Sequence, residues 1–340
     1  MGDEFWSGVA GAGLGFLVSS AGTWGVLRAV EYWQILDRPS QRNAHRRPMP
    51  TLGGLGVILG FWAGLLLLVF SKFPIFIENI LWAQLGSTLV LLLISYDDAR
   101  DPLGVLEKFA LQVGATSVWL YWGGNLEWVT LPLVGQLDLG GWGWAITGLW
   151  CIGMCNAYNF MNGIDGITAI ETIVVGCLAL LSFVQLDTPL WVVALLLVAV
   201  SGGFLAFNFP PAQIFAGDVG AVFLGFTMAI LGVLGEQAGL PIWLYLVFLG
   251  YYLFDISYTL LRRALNGENL LQAHRKHLYQ RLNKLGWSHL KINFWICFLT
   301  LTLGLGGWAF HFVDEIPGVA LVFLGGCLLL GTTVWIEVKD

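Results

Sequence analysis

Stretches of about 20 apolar residues, the length a helix needs to cross a hydrocarbon core of about 30 Å, recur along this whole 340-residue chain. Hydrophobic residues make up 57% of it and charged residues 11%, against roughly 45–50% and 25% in soluble domains. The sequence therefore predicts one all-α, polytopic membrane domain over residues 1–340. The eleven predicted spans are 8–30, 52–71, 79–96, 107–124, 142–160, 167–186, 189–206, 219–235, 241–261, 291–312 and 317–336.

The basic residues determine the predicted orientation of these spans. With eleven spans, fifteen of the 16 Lys and Arg residues fall on one side of the membrane, and only Lys72 falls on the other. Because basic loops stay on the cytoplasmic side, we expect the N-terminus outside, the C-terminus inside and a location in a bacterial inner membrane. One outer loop, 127–139, alternates partly about a Val-Gly-Gln turn, which fits a small periplasmic β-hairpin and an ordered loop equally well.

Side chains capable of chemistry are concentrated in five loops on the predicted cytoplasmic face. Each loop alone has a structural explanation: a basic patch on lipid, a solvated acidic cap, a polar contact between helices or a helix N-cap. Together they favour a phosphoryl-transfer site, which needs a cation site, hydrogen-bond donors and positive charge. The net charge of −6 gives no reason to expect a nucleic-acid partner. The loops span about 37–51, 96–108, 156–166, 207–218 and 262–291.

Three aspartates are candidates for binding a divalent cation. Asp97 and Asp98 lie where the third span meets the interface, and adjacent carboxylates at that depth repel each other unless a cation lies between them. Ligand sets made only of oxygen suit Mg²⁺ or Mn²⁺ rather than Zn²⁺. Asp218 lies near the start of the eighth span, among small residues that let another group approach closely. It could equally be the N-cap of that helix.

Amide and basic side chains complete the predicted site. The third loop carries a stripe of polar residues at every third position that runs into a helix break: Asn156, Asn159, Asn162 and Asp165. The spacing within 274–281 predicts one short amphipathic helix, and its cationic and histidine side chains are suited to phosphate. The candidates for substrate binding are His45, Arg46, Lys108, His274, Arg275 and His277.

Taken in order, the loops resemble those of the polyprenyl-phosphate N-acetylhexosamine-1-phosphate transferase family (glycosyltransferase family 4). The resemblance covers nearly the whole chain and implies transfer of an N-acetylhexosamine 1-phosphate from a UDP-sugar to undecaprenyl phosphate. It also implies Mg²⁺ as the cofactor, UMP as the second product and a cell-surface glycan as the destination. The matching stretches are DRPSQRNAHRRPMPTLGG (37–54), YDDARD (96–101), KFALQ (108–112), NAYNFMNGIDG (156–166) and FNFPPAQIFAGDVGAVFLG (207–225).

The resemblance also implies roles for individual residues. Asp97 and Asp98 match the adjacent catalytic aspartates, and Asp218 matches the Mg²⁺-binding aspartate, with Asn159 and Asp98 as further metal ligands. The positions that match the lining of the nucleotide and Mg²⁺ pocket are Asn159, Asp165, Asn208 and Phe215.

Two departures from the family pattern qualify this assignment. Asn162 stands where the family commonly has Asp, so one acidic group is missing. The last loop reads AHRKHLYQRL (273–282) and resembles the branch that starts O-antigen chains more than the phospho-MurNAc-pentapeptide translocase.

Other functions stay open on the sequence alone. An ion-coupled carrier could use Asp255, which lies inside the ninth span, although no inverted repeat is visible. A CDP-alcohol phosphotransferase would need several aspartates on successive turns of one motif, which this chain lacks. An inactive homologue acting as a scaffold is a third alternative, and the oligomeric state is open between a monomer and a homodimer.

Overall fold

A computed structural model describes residues 2–37, 48–74, 78–95, 103–132, 134–270, 272, 274–313 and 315–339. Most of this part of the chain is helical. The described helices are α1 (Gly2–Trp33), α2 (Gly54–Phe70), α3 (Glu78–Leu92), α4 (Val105–Gly123), α5 (Trp142–Met161), α6 (Ile167–Gln185), α7 (Trp191–Asn208), α8 (Gly217–Gln237), α9 (Ile242–Phe248), α10 (Gly250–Leu265), α11 (Leu278–Lys284), α12 (His289–Phe312) and α13 (Glu315–Lys339).

A helix or a broken helix pair lies at each of the eleven predicted spans. Among the described helices, six are long and apolar enough to cross a bilayer: α1, α6, α7, α8, α12 and α13. The pair α9 and α10, bent by 77°, makes a seventh if it is counted as one span. The prediction of a multi-pass helical membrane protein is therefore confirmed. The number eleven and the orientation stay predictions, because α2 to α5 are shorter or less apolar.

Two short antiparallel strand pairs lie beside the helices. One pair brackets the first polar loop, and the other lies within 127–139, where the sequence fits a hairpin or an ordered loop. Glu236, buried near the end of α8, accepts the backbone N–H groups of Thr130 at 2.7 Å and Ile242 at 2.5 Å and so ties the second pair to α8 and α9. The strands are β1 (Leu36–Asp37), β2 (Met49–Pro50), β3 (Trp128–Leu131) and β4 (Gly135–Asp138).

Helix α8 is the most enclosed of the spanning helices, with 89% of its apolar window buried. Its first turns touch the start of α2 backbone to backbone. A Cβ on Gly54 would lie 2.1 Å from the Cα of Gly220, and a Cβ on Gly220 would lie 2.7 Å from the Cα of Gly54. Only glycine fits at this crossing, which brings the acidic start of α8 against the end of the first polar loop.

Candidate active site

Backbone hydrogen bonds join the end of the first loop to the segment that precedes α8. The N–H of Gly53 donates to the carbonyl of Phe215 at 2.8 Å, and the N–H of Gly54 donates to that of Ala216 at 2.9 Å. The N–H of Phe215 donates back to the carbonyl of Pro50 at 2.9 Å. The backbone of the fourth loop therefore lies directly against these two glycines.

Asp218 lies in the first turn of α8 and faces a basic side chain from the second loop. The N-cap of this helix is Ala216, so Asp218 is not the N-cap residue. The Nζ of Lys108 donates to Oδ2 of Asp218 at 2.6 Å. Their side chains are 24% and 28% exposed, so the ion pair is open to a ligand. The structure thus brings together two of the predicted site residues.

Asn159 lies on the face of α5 that packs against the start of α8. One turn before it, the Sγ of Cys155 donates to a backbone carbonyl in the second turn of α8 at 3.8 Å. Three residues after it, the amide of Asn162 donates to the carbonyl of Gly217 at 3.3 Å. Because positions four residues apart share a helix face, Asn159 lies on the same face of α5 as Cys155, which faces α8.

The departure at Asn162 has a structural explanation. Its amide nitrogen donates to the Gly217 carbonyl, while its Oδ1 accepts the hydroxyl of Thr168 at 2.9 Å. An ionised aspartate could accept but could not donate to that carbonyl. Asn162 therefore links the end of α5 to the start of α8 by a hydrogen bond.

Asp165 holds the third loop against the fourth and against α12. Its Oδ2 accepts the backbone N–H of Ala212 at 3.1 Å and lies 3.2 Å from Nδ1 of His289. Burial of the carboxyl opposes ionisation, but the hydrogen bond and charge of His289, together with the Ala212 N–H, outweigh it. The pKa of Asp165 is consequently lowered from its ordinary value.

Asn208 joins the same two loops from inside the protein. It is 6% exposed, and both ends of its amide are engaged. Its Oδ1 accepts the N–H of Gly166 at 2.9 Å, and its Nδ2 donates to the carbonyl of Ile214 at 2.8 Å. Gly166 has φ +78°, a conformation that favours glycine. Asn208 thus acts on the site by fixing the shape of the loops that surround it.

The fifth loop meets the third loop through aromatic and histidine rings. The ring of His277 stacks on Phe160, the residue after Asn159, with centroids 6.1 Å apart. The ring of His274 lies 4.9 Å from that of His277. Burial, followed by the charges of nearby basic groups, lowers the pKa of His274 to about 4, so His274 is neutral near pH 7. The Nε of Arg275 is buried and has no hydrogen-bond partner in the described part of the chain.

One expectation for this loop is wrong. The sequence predicts a single amphipathic helix over 274–281, but the helix begins only at Leu278. Residues 274–277 form an irregular segment, and Arg281 is buried in an ion pair with Glu337 of α13 instead of joining the basic cluster.

Four predicted site residues lie outside the described residues: His45, Arg46, Asp97 and Asp98. Within the described ranges, no three His, Cys, Asp or Glu side chains come together as a metal-binding group. The assignments of Asp97 and Asp98, and of the metal ligands, stay predictions.

Sequence reasoning missed His289 altogether. Its ring reaches Asp165, and the adjacent Ser288 caps α12 by accepting the N–H of Lys291 at 3.3 Å. The available signal was a histidine directly after a helix-capping serine at the predicted cytoplasmic end of a span.

Fold and site together define a polytopic membrane protein whose polar loops converge at one end of its helices. The model of glycosyl transferase family 4 matches residues 81–236. A phospho-N-acetylmuramoyl-pentapeptide-transferase of Synechococcus sp. (strain JA-3-3Ab) is 30% identical over 84% of this chain and 86% of its own length. A probable undecaprenyl-phosphate N-acetylglucosaminyl 1-phosphate transferase of Bacillus subtilis is 29% identical over 75% of this chain and 71% of its own.

A decaprenyl-phosphate N-acetylglucosaminephosphotransferase of Mycobacterium tuberculosis is 26% identical over 88% of this chain and 81% of its own length. The chain belongs to glycosyl transferase family 4, as the resemblance of its loops implied. It is a membrane transferase.

Proposed function

We propose that this protein transfers an N-acetylhexosamine 1-phosphate from a UDP-sugar to undecaprenyl phosphate and releases UMP. One observation carries the proposal: contacts among the described residues connect parts of all five polar loops, with Pro50 joining the first loop to the fourth. Lys108 reaches Asp218, the third and fourth loops are joined through Asp165, and the fifth loop stacks on Phe160. The names of the relatives, which act on polyprenyl phosphates and N-acetylated sugars, agree with it.

Charge is the main obstacle to this reaction. A lipid phosphate carrying about −1.5 to −2 must approach a diphosphate that is also anionic. At 4 Å and an effective dielectric constant of 20, each pair of unit charges repels by about 4 kcal/mol. Lys108, paired with Asp218, supplies positive charge at the site. The proposal assigns further positive charge to Arg275, whose Nε has no protein acceptor in the described chain.

The chemistry of the described ligands fits a hard divalent cation. The Asp218 carboxylate and the Asn159 amide oxygen are ligands of the kind that Mg²⁺ and Mn²⁺ prefer, and Asp218 already accepts one cation, the Lys108 ammonium. We propose that Asp218, Asn159 and Asp98 hold Mg²⁺, which when bound neutralises charge on the diphosphate. Asp97 or Asp98 keeps the lipid phosphate deprotonated or orients it.

The proposal includes a location and a destination. The active site faces the cytoplasm at a bacterial inner membrane, because the basic loops that carry it follow the positive-inside rule. The acceptor phosphate lies at the same depth as these loops. The lipid product starts a cell-surface glycan, with O-antigen as the destination that the AHRKHLYQRL loop favours.

An ion-coupled carrier is disfavoured by the surroundings of Asp255. This carboxylate is 0% exposed and accepts the backbone N–H groups of Leu278 at 2.9 Å and Tyr279 at 3.2 Å. Its acceptor sites are used by the fold and do not line an ion path.

The test is to incubate the purified protein with undecaprenyl phosphate, Mg²⁺ and a panel of UDP-N-acetylhexosamines and CDP-alcohols. One UDP-sugar should yield a lipid diphospho-sugar, identified by mass, with one UMP per product. EDTA should stop the reaction and added Mg²⁺ should restore it. Asp218→Asn should lower kcat by about 10²-fold or more, whereas Asp187→Asn, an exposed control at the end of α6, should match wild type.

Product from a CDP-alcohol alone, or from no donor, would contradict the proposal. Near-wild-type turnover of Asp218→Asn would overturn the metal assignment while leaving the reaction in place.

A further inference from the structure

Asp255 of α10 holds residues 277–279 of the fifth loop against the helices through hydrogen bonds. Besides accepting the N–H groups of Leu278 and Tyr279, its Oδ1 lies 3.0 Å from Nδ1 of His277 and accepts the hydroxyl of Thr259 at 3.1 Å. A carboxylate can only accept hydrogen bonds, so the His277 nitrogen that faces it must be the donor. The His277 ring is therefore held through Nδ1, with its opposite nitrogen, Nε2, directed away from Asp255.

The residues that Asp255 holds are those that contact the end of α5. The hydroxyl of Tyr279 donates to the carbonyl of Phe160 at 3.0 Å, and the His277 ring stacks on the Phe160 side chain. A Cβ on Gly163 would lie 2.1 Å from the Tyr279 hydroxyl oxygen, so the contact depends on glycine there. Through these contacts, the position of 277–279 is set relative to the segment that carries Asn159 and Asp165.

A second fixing point lies on the other side of the basic segment. Glu268 binds the Nζ of Lys276 at 2.5 Å and the Nε of Arg263 at 3.1 Å. Arg263 is 3% exposed and also donates to the carbonyl of Leu270 at 3.3 Å. Lys276 and His277, the two residues that follow Arg275, are thus both held. The Nε of Arg275 is buried and has no acceptor in the described chain.

We infer that Asp255 is a positioning residue that fixes the 274–279 segment against α5 and thereby sets the affinity for the nucleotide-sugar donor. The inference rests on the proposed function for its kinetic consequence, but the anchoring itself does not. Asp255 lies beneath the loop, so it acts through His277 and the backbone of 278–279 and does not touch the substrate.

The test compares Asp255→Asn with Asp187→Asn in the purified, full-length protein. An asparagine keeps the shape but offers one acceptor oxygen in place of two. The KM for the UDP-sugar should rise about tenfold or more, while the KM for undecaprenyl phosphate changes by less than about twofold. A loss of folded protein would instead lower kcat and leave both KM values unchanged.

Limited tryptic digestion supplies a readout that needs no turnover. In wild type, Arg281 is 2% exposed and Arg275 is half-buried, while the Lys276 side chain is 42% exposed but paired with Glu268. Because trypsin needs the backbone around a cleavage site to open, and this backbone is held by Asp255, cleavage between 275 and 281 should be slow. In Asp255→Asn it should be accelerated about tenfold or more, since opening of the loop then costs less, with the rest of the digestion pattern unchanged. If wild type turns over no donor while Asp255→Asn still exposes the loop, the proposed function fails and the anchoring stands.

Equal rises in the two KM values, or unchanged tryptic cleavage in Asp255→Asn, would overturn the inference. If Asp255→Asn does not fold, Thr259→Val is the variant that tests the inference. It removes one hydrogen-bond donor to Asp255 at a buried position and changes the shape of the side chain little. It should shift the donor KM and the cleavage rate in the same directions by a smaller factor, and an unchanged donor KM with unchanged cleavage would overturn the inference.

Discussion

At the residue scale, polar side chains around the site divide into those that hold loops and those that face the open space. Asn162, Asn208 and Asp165 each bind backbone atoms of a neighbouring loop. Lys108 and Asp218 pair with each other in a part-open site. The amides of Asn162 and Asn208 thus join loops that hydrophobic packing alone would leave unaligned.

The adjacent aspartates should be sensitive to loss of charge. If Asp97 or Asp98 deprotonates or orients the lipid phosphate, at least one of Asp97→Asn and Asp98→Asn should lower kcat by about 10²- to 10⁴-fold, the usual range for a general base. UMP release at saturating substrate measures this effect. Near-wild-type kcat in both variants would remove these residues from the mechanism.

The Asp165–His289 contact should contribute to stability in a pH-dependent way. Because the native pKa of Asp165 is lowered, its stabilisation is complete above the ordinary value of about 3.9 and is lost as the pH falls through the native pKa. Below about pH 4, wild type should therefore lose more thermal stability than Asp165→Asn. The fluorescence of the 17 Trp residues can follow unfolding in detergent. Parallel curves for the two proteins would contradict the assignment, and Asp187→Asn should follow wild type.

At the scale of secondary-structure elements, the lengths of the apolar stretches in the sequence predict where the helices lie. Periodic apolar stretches placed a helix or helix pair at every predicted span, because burial in lipid depends on composition that can be read directly. The break at Leu249 between α9 and α10, and the irregular 274–277 segment, could not be read in this way. Both depend on tertiary contacts, such as the hydrogen bonds that Asp255 makes to residues more than twenty positions away.

The same limit applies to the site. Motif order predicts Asp218, Lys108 and Asn159 as site residues, but it does not show that Lys108 pairs with Asp218 or that both ends of the Asn208 amide bind backbone groups. His289 was missed because its role depends on the position of α12 relative to the third loop, which no local pattern encodes.

The crossing of α2 and α8 should tolerate no side chain. Gly220→Ala places a Cβ 2.7 Å from the Cα of Gly54, and overpacking of this kind typically costs about 1–3 kcal/mol. It should also lower UMP release, since Asp218 lies two residues away. Thermal unfolding and turnover measure the two effects.

Gly148→Ala is the matched control for this substitution. A Cβ at Gly148 of α5 meets nothing within 4 Å, and alanine is favoured over glycine in a helix by up to about 1 kcal/mol. Gly148→Ala should be neutral or stabilising. Equal stability of the two variants would show that the crossing is not close-packed.

At the scale of the whole molecule, an apolar helical bundle collects loops from five separate parts of the chain at one end. This arrangement suits a reaction between a soluble nucleotide and a lipid phosphate, because both reacting groups lie at the membrane surface. A carrier would instead place its polar groups near the midplane. The helical bundle holds the loops in place, and the residues of these loops are the ones to which the proposed reaction is assigned.

The most direct test of the central claim follows the β-phosphorus of the donor. The purified protein is incubated with undecaprenyl phosphate, Mg²⁺ and a UDP-N-acetylhexosamine labelled with ³²P at the β-phosphate. Transfer of sugar 1-phosphate moves the label into the lipid and leaves unlabelled UMP, and Asp218→Asn should slow both together. Label that remains in soluble UDP while sugar reaches the lipid would show that the sugar–phosphate bond breaks instead, and would contradict the account.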